Sequence, residues 1–410
     1  MPGNRRRRHQ NAGCSSEETL YDVVVIGAGP AGSITAERLA ARGRRVALIE
    51  EHPEVGAPVH CTGLVGPEAF DEYDLPRHLI LGESGAATFW GANGQSVQIG
   101  GGVRAVVLER SALDRTLSER AMAQGAELRV GVRAERIVVG PRSVRVAATG
   151  LERDLEARAC VLACGANYRF HRALGLGMPE VFLQSAQLDT QFPAVAEVEV
   201  RFGRDIAPGG FAWVVPFRRD GQSYARIGLM SQTNALSHFK TFAGHLALRS
   251  GIDASDLPSP RLKMLPLAPV ARTYGHRVLA VGDAAGLVKP TTGGGIYYGL
   301  ISGAIAADVL DRGLERDRLA ARDLAAYQTG WRRTLGREIR VGLAFRKIAS
   351  RLSDESIDAL IDLARTNGIV PLMQKNASFN WHSKTALALL GHPSFRRIAL
   401  RTWAGTGDVV

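Results

Sequence analysis

Three glycines near the start of the chain have the spacing of a turn that binds phosphate groups. Gly27, Gly29 and Gly32 follow the run Tyr21–Ile26, whose consecutive β-branched residues are typical of a parallel strand buried on both faces. In such a turn the first glycine permits a sharp bend, the second lets the backbone approach a pyrophosphate, and the third lets a helix pack closely on the strand. The spacing therefore predicts a dinucleotide-binding turn.

The residues that follow extend this turn into a strand–turn–helix–strand unit. Pro30 and Ala31 lie within the turn, a helix is predicted from Ser33 to Arg42, and a second strand ends at Glu50. The N-terminus of such a helix favours phosphate through its free N–H groups and its dipole. A carboxylate at the end of the second strand accepts hydrogen bonds from the ribose hydroxyls of adenosine and disfavours a 2′-phosphate. The unit therefore favours FAD or NAD over NADP.

A second glycine-rich segment lies far along the chain, after the predicted strand Arg277–Val281. A carboxylate at a strand end suits the ribitol hydroxyls of FAD, and a glycine-rich helix start suits the flavin pyrimidine edge, where the helix dipole favours the anionic reduced ring. NAD has no ribitol and needs no such segment, so the pair of segments favours FAD. The residues assigned to this half of the cofactor site are Gly282, Asp283, Gly294, Gly295 and Ile296.

These segments, together with two others, resemble the geranylgeranyl reductase family of FAD-dependent oxidoreductases, which are built like the aromatic hydroxylases. The closest match is the segment GDAAGLVKPTTGGG, Gly282–Gly295. The segment His60–Leu64 resembles the family's Cys-x-Gly segment, which lies against the flavin. The segment Phe211–Pro216 resembles its Tyr-x-Trp-x-Phe-Pro motif, with phenylalanine in place of tyrosine and valine in place of the second aromatic residue.

The resemblance implies further contacts with FAD. Cys61 and Thr62 would lie beside the flavin, Arg110 would contact the phosphates or the ribityl chain, and the backbone near Ala134 would meet the adenine. Arg110 stands at the start of a predicted helix, for which Ser111 is a plausible N-cap.

Two of these positions have both a functional and a structural interpretation. Cys61 either orients substrate or aids proton delivery beside the flavin, or it is a small hydrophobic side chain that fills space. Trp213 lies in a segment that is apolar at consecutive positions, which indicates a strand covered on both faces. It belongs either to an ordinary core or, with Phe211 and Pro216, to one wall of an apolar tunnel for a prenyl chain.

The resemblance implies an enzyme that uses FAD to saturate carbon–carbon double bonds of a polyprenyl lipid or isoprenoid group. The sequence has no second strand–GxGxxG–helix unit, so NADPH would bind transiently, or reduced ferredoxin would supply the electrons. Two alternatives share the fold. One is a flavin-dependent monooxygenase or halogenase, and the other is a flavin-bearing electron carrier or membrane-docking subunit.

The net charge of +11 comes almost entirely from arginine. It has three explanations: a general preference for arginine, a positive face toward anionic lipid headgroups, or nucleic-acid binding. The arginines are spread along the chain and no nucleic-acid module is recognisable, so we expect no nucleic-acid partner.

The cysteines and the N-terminal end bear on compartment. Cys14, Cys61, Cys160 and Cys164 form neither a CxxC pair nor a metal-binding set, which predicts no metal and fits a reducing cytoplasm. Arg5–Arg8 are followed by polar residues instead of the apolar stretch of a signal peptide, so we expect no export. Cytoplasmic location, with contact at the inner face of the membrane, is therefore predicted.

The predicted fold class is α/β, with a Rossmann-type FAD-binding domain, an interleaved α+β substrate domain and a helical C-terminus. The FAD-binding domain is assigned to residues 20–167 and 275–312, the substrate domain to 168–274 and the helical region to 313–410. Amphipathic helices are predicted at Asp354–Thr366 and His392–Trp403, which either pack on the body of the protein or lie on a membrane surface. No apolar run is long enough to span a membrane.

Overall fold

A computed structural model describes residues 20–193, 195–366 and 369–404. The expectations that rest on Arg5–Arg8 and Cys14 therefore lie outside the described residues. Within them, the strands are β1 Tyr21–Ile26, β2 Val46–Glu50, β3 Leu64–Val65, β4 Ile80–Trp90, β5 Ser96–Leu108, β6 Glu127–Val130, β7 Arg133–Val139, β8 Val144–Thr149, β9 Leu155–Leu162, β10 Phe182–Gln191, β11 Val198–Arg201, β12 Phe211–Arg219, β13 Gln222–Ser231, β14 Arg261–Pro266, β15 Tyr274–Gly275 and β16 Val278–Ala280.

The α-helices of the same residues extend from the first glycine-rich turn to the end of the described chain. They are α1 Pro30–Ala40, α2 Glu68–Tyr73, α3 Arg110–Ala123, α4 Ala235–Arg249, α5 Ile296–Glu315, α6 Ala321–Ala349, α7 Asp354–Thr366, α8 Ile369–Asn376, α9 Ser383–Gly391 and α10 Pro393–Ala404.

The first sheet is the predicted Rossmann-type sheet. Its strand order is β15-β16-β9-β1-β2-β6, and the β7–β8 hairpin joins it at β9. Strand β1 lies at the centre, parallel to both neighbours, with Val25 opposite Leu48 on β2 and Val161 on β9. Helix α1 packs against both α3 and α5. The α/β fold class is thereby confirmed, and the hydrophobic run of β1 is buried as a central parallel strand requires.

The second sheet has the strand order β14-β10-β13-β12-β11-β4-β5-β3. It therefore includes β3, β4 and β5, which the predicted boundaries assign to the FAD-binding part of the chain. Strand β4 enters this sheet by pairing in parallel with β11, where Phe89 lies opposite Val200. Such a pairing joins strands that are distant in the sequence, so it leaves no local signal, and the sheet boundary differs from the predicted one for this reason.

The faces of the second sheet are covered by different elements. On one face, Val214 of β12 packs in a cluster with Phe239 and Phe242 of α4. On the other face, Trp213 and Val215 of the same strand belong to a separate cluster. Successive side chains of a strand point to opposite faces, so the prediction that both faces of this apolar segment are covered is confirmed.

The C-terminal helices follow the predictions closely. The region 313–410, predicted as helical, contains the end of α5 and the helices α6 to α10, and a short turn at residues 316–320 joins α5 to α6. The predicted helix Asp354–Thr366 has those bounds as α7, and α10 begins one residue after the predicted start. Helices α7 and α8 pack on β5, where Ile361 and Ile369 join Val97 in one cluster.

Two helix starts differ from the predictions. Helix α1 begins at Pro30 instead of Ser33, because proline is tolerated in the first turn, where its missing N–H needs no partner. Helix α3 begins at Arg110 after Glu109, so the predicted Ser111 cap is wrong. The Ser111 hydroxyl lies inside the first turn and donates to the Glu109 carboxylate at 3.1 Å.

Two helical glycines give a test of the packing of α1 on the first sheet. A Cβ atom at Gly32 would lie 1.9 Å from the Gly27 carbonyl oxygen and 2.9 Å from the Ala163 Cβ, whereas one at Gly244 in α4 would meet nothing within 4 Å. We expect Gly32→Ala to lower the free energy of unfolding by about 2 kcal/mol or more, because backbone must move. Gly244→Ala should raise it by roughly 0.5–1 kcal/mol, because alanine is the better helix former. Denaturant unfolding measures both; equal effects would contradict the close packing described here.

Candidate functional site

One cavity of about 1160 Å³ lies between the two sheets and the C-terminal helices. It brings together most of the residues predicted to form the site, from segments spread over almost 300 positions. Those that line it are Gly27, Gly29, Pro30, Ala31, Glu50, Cys61, Thr62, Arg110, Ala134, Phe211, Trp213, Gly282, Asp283, Gly294, Gly295 and Ile296. Gly32 and Pro216 do not line it.

The first glycine-rich turn has the geometry that its spacing predicts. Gly27 has φ of +107°, and a Cβ atom there would lie 2.4 Å from the Ala163 carbonyl oxygen, so the sharp bend requires glycine. Gly32 lies away from the cavity and against the Gly27 carbonyl, as close packing of helix on strand demands. A Cβ atom at Gly29 would meet nothing within 4 Å, so space beside the start of α1 is open. A phosphate group fits there.

Glu50 stands at the end of β2 with both carboxylate oxygens engaged. One oxygen accepts a hydrogen bond from the Ala28 N–H at 2.9 Å. The other accepts from the His52 N–H at 3.1 Å and lies 2.6 Å from the His52 Nδ1. These contacts hold the carboxylate in the cavity wall next to the glycine-rich turn, the position predicted for an acid that meets a ribose.

The second glycine-rich segment reaches the same cavity through helix packing. A Cβ atom at Gly282 would lie 2.9 Å from the Cβ of Ala31, so the two segments touch. Asp283 follows, and its carboxylate lies 3.6 Å from the Lys263 Nζ. A Cβ atom at Gly295, the N-cap of α5, would lie 2.5 Å from the Asp283 Oδ1. Helix α5 begins at Ile296, directly after these glycines, so the predicted glycine-rich helix start is confirmed.

Arg110 lies in the cavity wall between these segments. Its guanidinium pairs with Asp114 one turn along α3, and burial raises the pKa of the Asp114 carboxyl even though this arginine lies beside it. The Arg110 Nε is buried and has no hydrogen-bond partner among the described residues. A buried donor without a partner is costly. An anionic group in the cavity, such as a phosphate, would satisfy it.

Ala134 is buried in β7 and lines the cavity near Glu50. The chain turns between β6 and β7, where the N–H groups of Gly131 and Val132 donate to the carbonyls of His52 and Glu50, at 2.9 and 2.8 Å. The Ala134 carbonyl accepts a hydrogen bond from Arg169. A contact between this carbonyl and the adenine, as predicted, would have to share the oxygen with Arg169.

The Cys61 segment is held by hydrogen bonds on both sides. The Cys61 Sγ accepts from the Gly63 N–H at 3.3 Å, and the Thr62 hydroxyl donates to the Gln187 side chain at 2.7 Å. Cys61 is partly buried and faces the cavity, so its thiol is not simply enclosed in a core. Cys164 also lines the cavity, and burial raises the pKa of its thiol to about 12.

Arg226 positions this segment and was missed by the sequence analysis. It is 1% exposed, its Nη1 donates to the carbonyls of Thr62 and Leu108 at 2.7 and 2.8 Å, and its Nε donates to Asp189 at 3.0 Å. It stands in β13 between Ala225 and Ile227, both fully buried. Its place between apolar residues in the sequence was the signal that could have revealed it.

Strand β12 presents its aromatic residues to the cavity. Phe211, Trp213 and Val215 line it, because alternate residues of a strand share one face. Pro216, which pairs with Ala225, lies on the other face of β12 from Trp213 and Val215 and does not line the cavity. Its position therefore does not support the prediction that it lines a substrate tunnel. The Trp213 indole lies flat against Gly228, and its Nε1 is buried without a partner among the described residues.

The aromatic face continues into an apolar extension of the cavity. The ring centroids of Trp213 and Phe211 are 5.8 Å apart, those of Phe211 and Phe202 are 6.0 Å apart, and those of Phe202 and Phe89 are 6.4 Å apart. This extension lies between the second sheet and the C-terminal helices, and its lining includes Val97, Ile99, Val198, Val200, Leu360, Ile361, Ile369, Met373 and Leu389. A long apolar chain fits this space.

Lys289, which is buried, and His382, which is partly buried, are polar residues that the sequence analysis did not single out. The Lys289 Nζ donates to the Phe379 carbonyl at 2.9 Å and lies 4.1 Å from the centre of the Phe379 ring. Burial lowers the pKa of Lys289 to about 7, opposed by the nearby Glu68 and Cys61. Its position within the segment Gly282–Gly295 of a chain with six lysines was the available signal.

His382 contributes no charge beside Lys289. Burial, reinforced by Lys289, lowers the pKa of His382 to about 3. Its Nε2 lies 2.8 Å from the Phe379 carbonyl and its Nδ1 lies 2.5 Å from the Thr291 hydroxyl. The neutral ring therefore donates through Nε2 and accepts at Nδ1, and it helps to fix the Phe379 carbonyl that Lys289 contacts.

None of the helices in the described residues is both long and apolar enough to cross a membrane.

Comparison with known proteins identifies relatives over most of the chain. The model of the family described as lycopene cyclase protein matches residues 22–362. Digeranylgeranylglycerophospholipid reductase 2 of Methanothermobacter thermautotrophicus is 32% identical over 359 residues, which cover 83% of this chain and 91% of the relative. The enzyme of the same name from Methanopyrus kandleri is 32% identical over 370 residues, 86% of this chain and 93% of the relative.

Two solved structures have the same fold. A geranylgeranyl bacteriochlorophyll reductase-like protein from Thermoplasma acidophilum has a TM-score of 0.80 at 23% identity, covering 93% of this chain and 99% of that one. A variant of the halogenase PltM in complex with FAD has a TM-score of 0.66 at 16% identity, covering 95% and 92% of the respective chains.

The role of Arg226 can be tested against another strand arginine of the same sheet. Arg104 of β5 pairs with Glu83 at 3.0 Å, but both side chains are largely exposed. We expect Arg226→Met to lower the free energy of unfolding by about 3 kcal/mol, because it leaves two carbonyls and Asp189 without their buried partner. Arg104→Met should change it by less than about 1 kcal/mol. Equal losses in denaturant unfolding would show that Arg226 has no special structural role.

The lowered pKa of Lys289 makes stability depend on pH. Between pH 7 and the ordinary lysine range, the unfolded chain binds a proton that the folded protein does not, so the free energy of unfolding rises with pH. Relative to Lys289→Met, the wild type should gain up to about 1.4 kcal/mol per pH unit in this window and show no such difference in slope below pH 6. Parallel unfolding curves of the two proteins from pH 7 to 9.5 would contradict the assignment.

Proposed function

Because the chain belongs to the geranylgeranyl reductase family of FAD-dependent oxidoreductases, we propose that it saturates carbon–carbon double bonds of a polyprenyl lipid or isoprenoid group. The observation that carries the proposal is the single cavity that joins a dinucleotide-binding turn to a long apolar extension. The names of the relatives, digeranylgeranylglycerophospholipid reductases, support the same chemistry. A cavity with only one of these parts would hold a cofactor or a lipid, but it would not bring the two together to react.

The cofactor half of the cavity fits FAD. The open space at Gly29 and the unpartnered Arg110 Nε suit its diphosphate, Glu50 suits the ribose, and Asp283 suits the ribitol. When bound there, FAD supplies the hydride-transfer chemistry, and the protein supplies orientation and electrostatics. The residues we propose to hold it are Gly27, Gly29, Pro30, Ala31, Glu50, Cys61, Thr62, Arg110, Ala134, Gly282, Asp283, Gly294, Gly295 and Ile296. Gly32 would act indirectly, by letting α1 pack closely on the turn.

The prenyl chain would occupy the apolar extension. Trp213 shares a hydrophobic cluster with Val288 of the second glycine-rich segment, and Leu64 packs against this cluster. Phe211 and Trp213 would therefore fix which double bond stands beside the flavin. Arg226 donates a hydrogen bond to the carbonyl of Thr62, the neighbour of Cys61. Cys61 would thereby be held beside the same region and would orient the substrate. Placement matters because an isolated alkene is a poor electrophile and reacts only in a well-oriented complex.

The reaction also needs a proton at the carbon next to the one that receives hydride. Lys289 is suited to this role, because its Nζ lies in the cavity wall, 3.2 Å from the position of a Cβ atom at Gly294. Burial brings the pKa of Lys289 to about 7, close to the value that serves general acid catalysis at neutral pH. We therefore assign the proton to Lys289 and substrate orientation to Cys61 and Trp213.

The electrons would come from NADPH or reduced ferredoxin. Among the described strands, β1 alone leads into a turn with the GxGxxG spacing, and FAD would occupy it. A nicotinamide would then have to bind transiently at the cavity mouth. We also propose cytoplasmic location at the inner face of a membrane, which suits a lipid substrate and a chain with net charge +11.

The proposal predicts turnover without oxygen. Under anaerobic conditions, the reduced holoprotein should reoxidise its flavin when digeranylgeranylglyceryl phosphate is added, and mass spectrometry should find two hydrogens gained per saturated bond. Trp213→Ala should slow this single turnover by roughly 100-fold, because misplacement of the chain is costly. Val214→Ala, on the opposite face of the same strand, should leave the rate within a factor of about three.

Other outcomes would point elsewhere. A requirement for oxygen would favour the monooxygenase or halogenase whose fold this chain shares. Slow reoxidation by every prenyl lipid, together with fast exchange with a redox protein, would favour an electron carrier.

A further inference from the structure

Arg346 is a buried arginine without an acidic partner. It lies on α6, is 9% exposed and lines the cavity. Its Nη2 donates to the Gly209 carbonyl at 2.7 Å, and no carboxylate of the described residues forms an ion pair with it. The other buried arginines of the cavity region differ, since Arg226 pairs with Asp189 and Arg110 pairs with Asp114.

The Nε and Nη1 of Arg346 form no hydrogen bond with the described residues and are not fully buried, and the side chain lines the cavity. Burial lowers the pKa of Arg346 to about 10, so the side chain still carries its charge at neutral pH. An ionised group removed from water without a counter-charge is costly. A cavity wall that retains such a charge is suited to an anionic ligand.

The surroundings of Arg346 place this charge near solvent. Gly209 belongs to the loop between β11 and β12, and Arg204 of the same loop is exposed and lines the cavity. Gln232 is also exposed, and its side chain lies against Gly209, since a Cβ atom there would be 2.4 Å from the Gln232 Cδ. Exposed residues that line a cavity mark its opening. Arg346 therefore lies just inside a mouth.

The apolar extension begins beside this mouth. Phe211 follows Gly209 by two residues, and its ring is in contact with those of Phe202 and Trp213. A ligand with an anionic head at Arg346 could thus lay its apolar chain along these aromatic rings. Arginine suits a phosphate head in particular, because its planar donors match two phosphate oxygens at once.

We propose that Arg346 binds the phosphate of a prenyl phosphate ester and so sets the register of the prenyl chain against Trp213. This inference rests on the proposed function, because it assumes that the cavity holds a prenyl chain. The shared chemistry is a phosphate joined to a prenyl group, which occurs both in a phospholipid and in a free prenyl diphosphate. A neutral head, such as a quinone ring or an alcohol, would leave the charge of Arg346 uncompensated.

The test measures binding to the oxidised holoprotein, so it needs no turnover. Its three ligands are digeranylgeranylglyceryl phosphate in detergent, geranylgeranyl diphosphate, and the neutral geranylgeraniol, each followed by calorimetry and by the flavin absorbance. Arg346→Met should weaken binding of the anionic ligand or ligands by roughly 30-fold or more, the usual result of removing one partner of a buried charge pair. Binding of geranylgeraniol should change by less than about threefold.

Two further variants complete the design. Arg337→Met removes an exposed charge from the same helix and should leave all three affinities unchanged. Arg346→Lys keeps the charge but loses the planar fork, so it should give intermediate affinity for phosphate; it also serves if the methionine variant does not fold. If Arg346→Met loses affinity for only one of the two anionic ligands, that ligand shows whether Arg346 binds the phosphate of a phospholipid or that of a free prenyl diphosphate.

Two results would overturn the inference. If Arg346→Met keeps its affinity for both anionic ligands, or loses affinity for geranylgeraniol to the same extent, Arg346 merely supports the loop at Gly209. The proposed function would survive that result, because prenyl ligands would still bind the wild type. If the wild type binds none of the three, the proposed function and this inference fail together.

Discussion

The close packing of α1 against α5 is the contact on which the rest of the cavity depends. The Thr35 hydroxyl donates to the carbonyl of Ala31 at 2.6 Å and approaches that of Gly303 at 3.2 Å, across 268 positions of the chain. A Cβ atom at Gly303 would lie 2.5 Å from the Ala31 carbonyl oxygen, so any larger residue would separate the helices. Because both helices begin at the cavity, this contact brings one glycine-rich turn beside the other. Neither turn alone would surround a molecule as long as FAD.

The second sheet supplies the other wall of the cavity, and alternate side chains of its strands point to opposite faces. Strand β12 uses Val214 to pack on α4 and Trp213 to line the cavity, so a single strand joins the stability of the sheet to the shape of the site. Arg226 joins β13 to the Cys61 segment and to the end of β5, because it donates hydrogen bonds to the carbonyls of Thr62 and Leu108. Since the Cys61 segment has little regular structure of its own, its position depends on that buried side chain and on the hydrogen bond from Thr62 to Gln187.

The parts of this site that sequence reasoning found are those with local signals. Glycine spacing located the first turn, because Gly32 meets the carbonyl of Gly27 within the same short unit, although the carbonyl that Gly27 itself meets belongs to the distant Ala163. Pro216 was misassigned because its residue type matched a motif, whereas its register in β12 turns it away from the cavity. Arg226 and Lys289 have only weak local signals, and no such signal was identified for Arg346, since a charged residue reveals its burial only when distant segments fold around it. The parallel pairing of β4 with β11 was missed for the same physical reason.

Three of the basic side chains in the cavity wall differ in how their charge is balanced. Arg110 has Asp114 beside it but keeps an unpartnered Nε, Lys289 has a carbonyl and an aromatic ring, and Arg346 has one carbonyl. Buried positive charge of this kind lowers the stability of the protein without its ligands. Ligands that carry phosphate at both ends of the cavity would remove this cost and stabilise the fold by mass action. The protein would then be most stable with cofactor and lipid both bound. The positions of its buried positive charges would correspond to the positions of the phosphate groups of the two ligands.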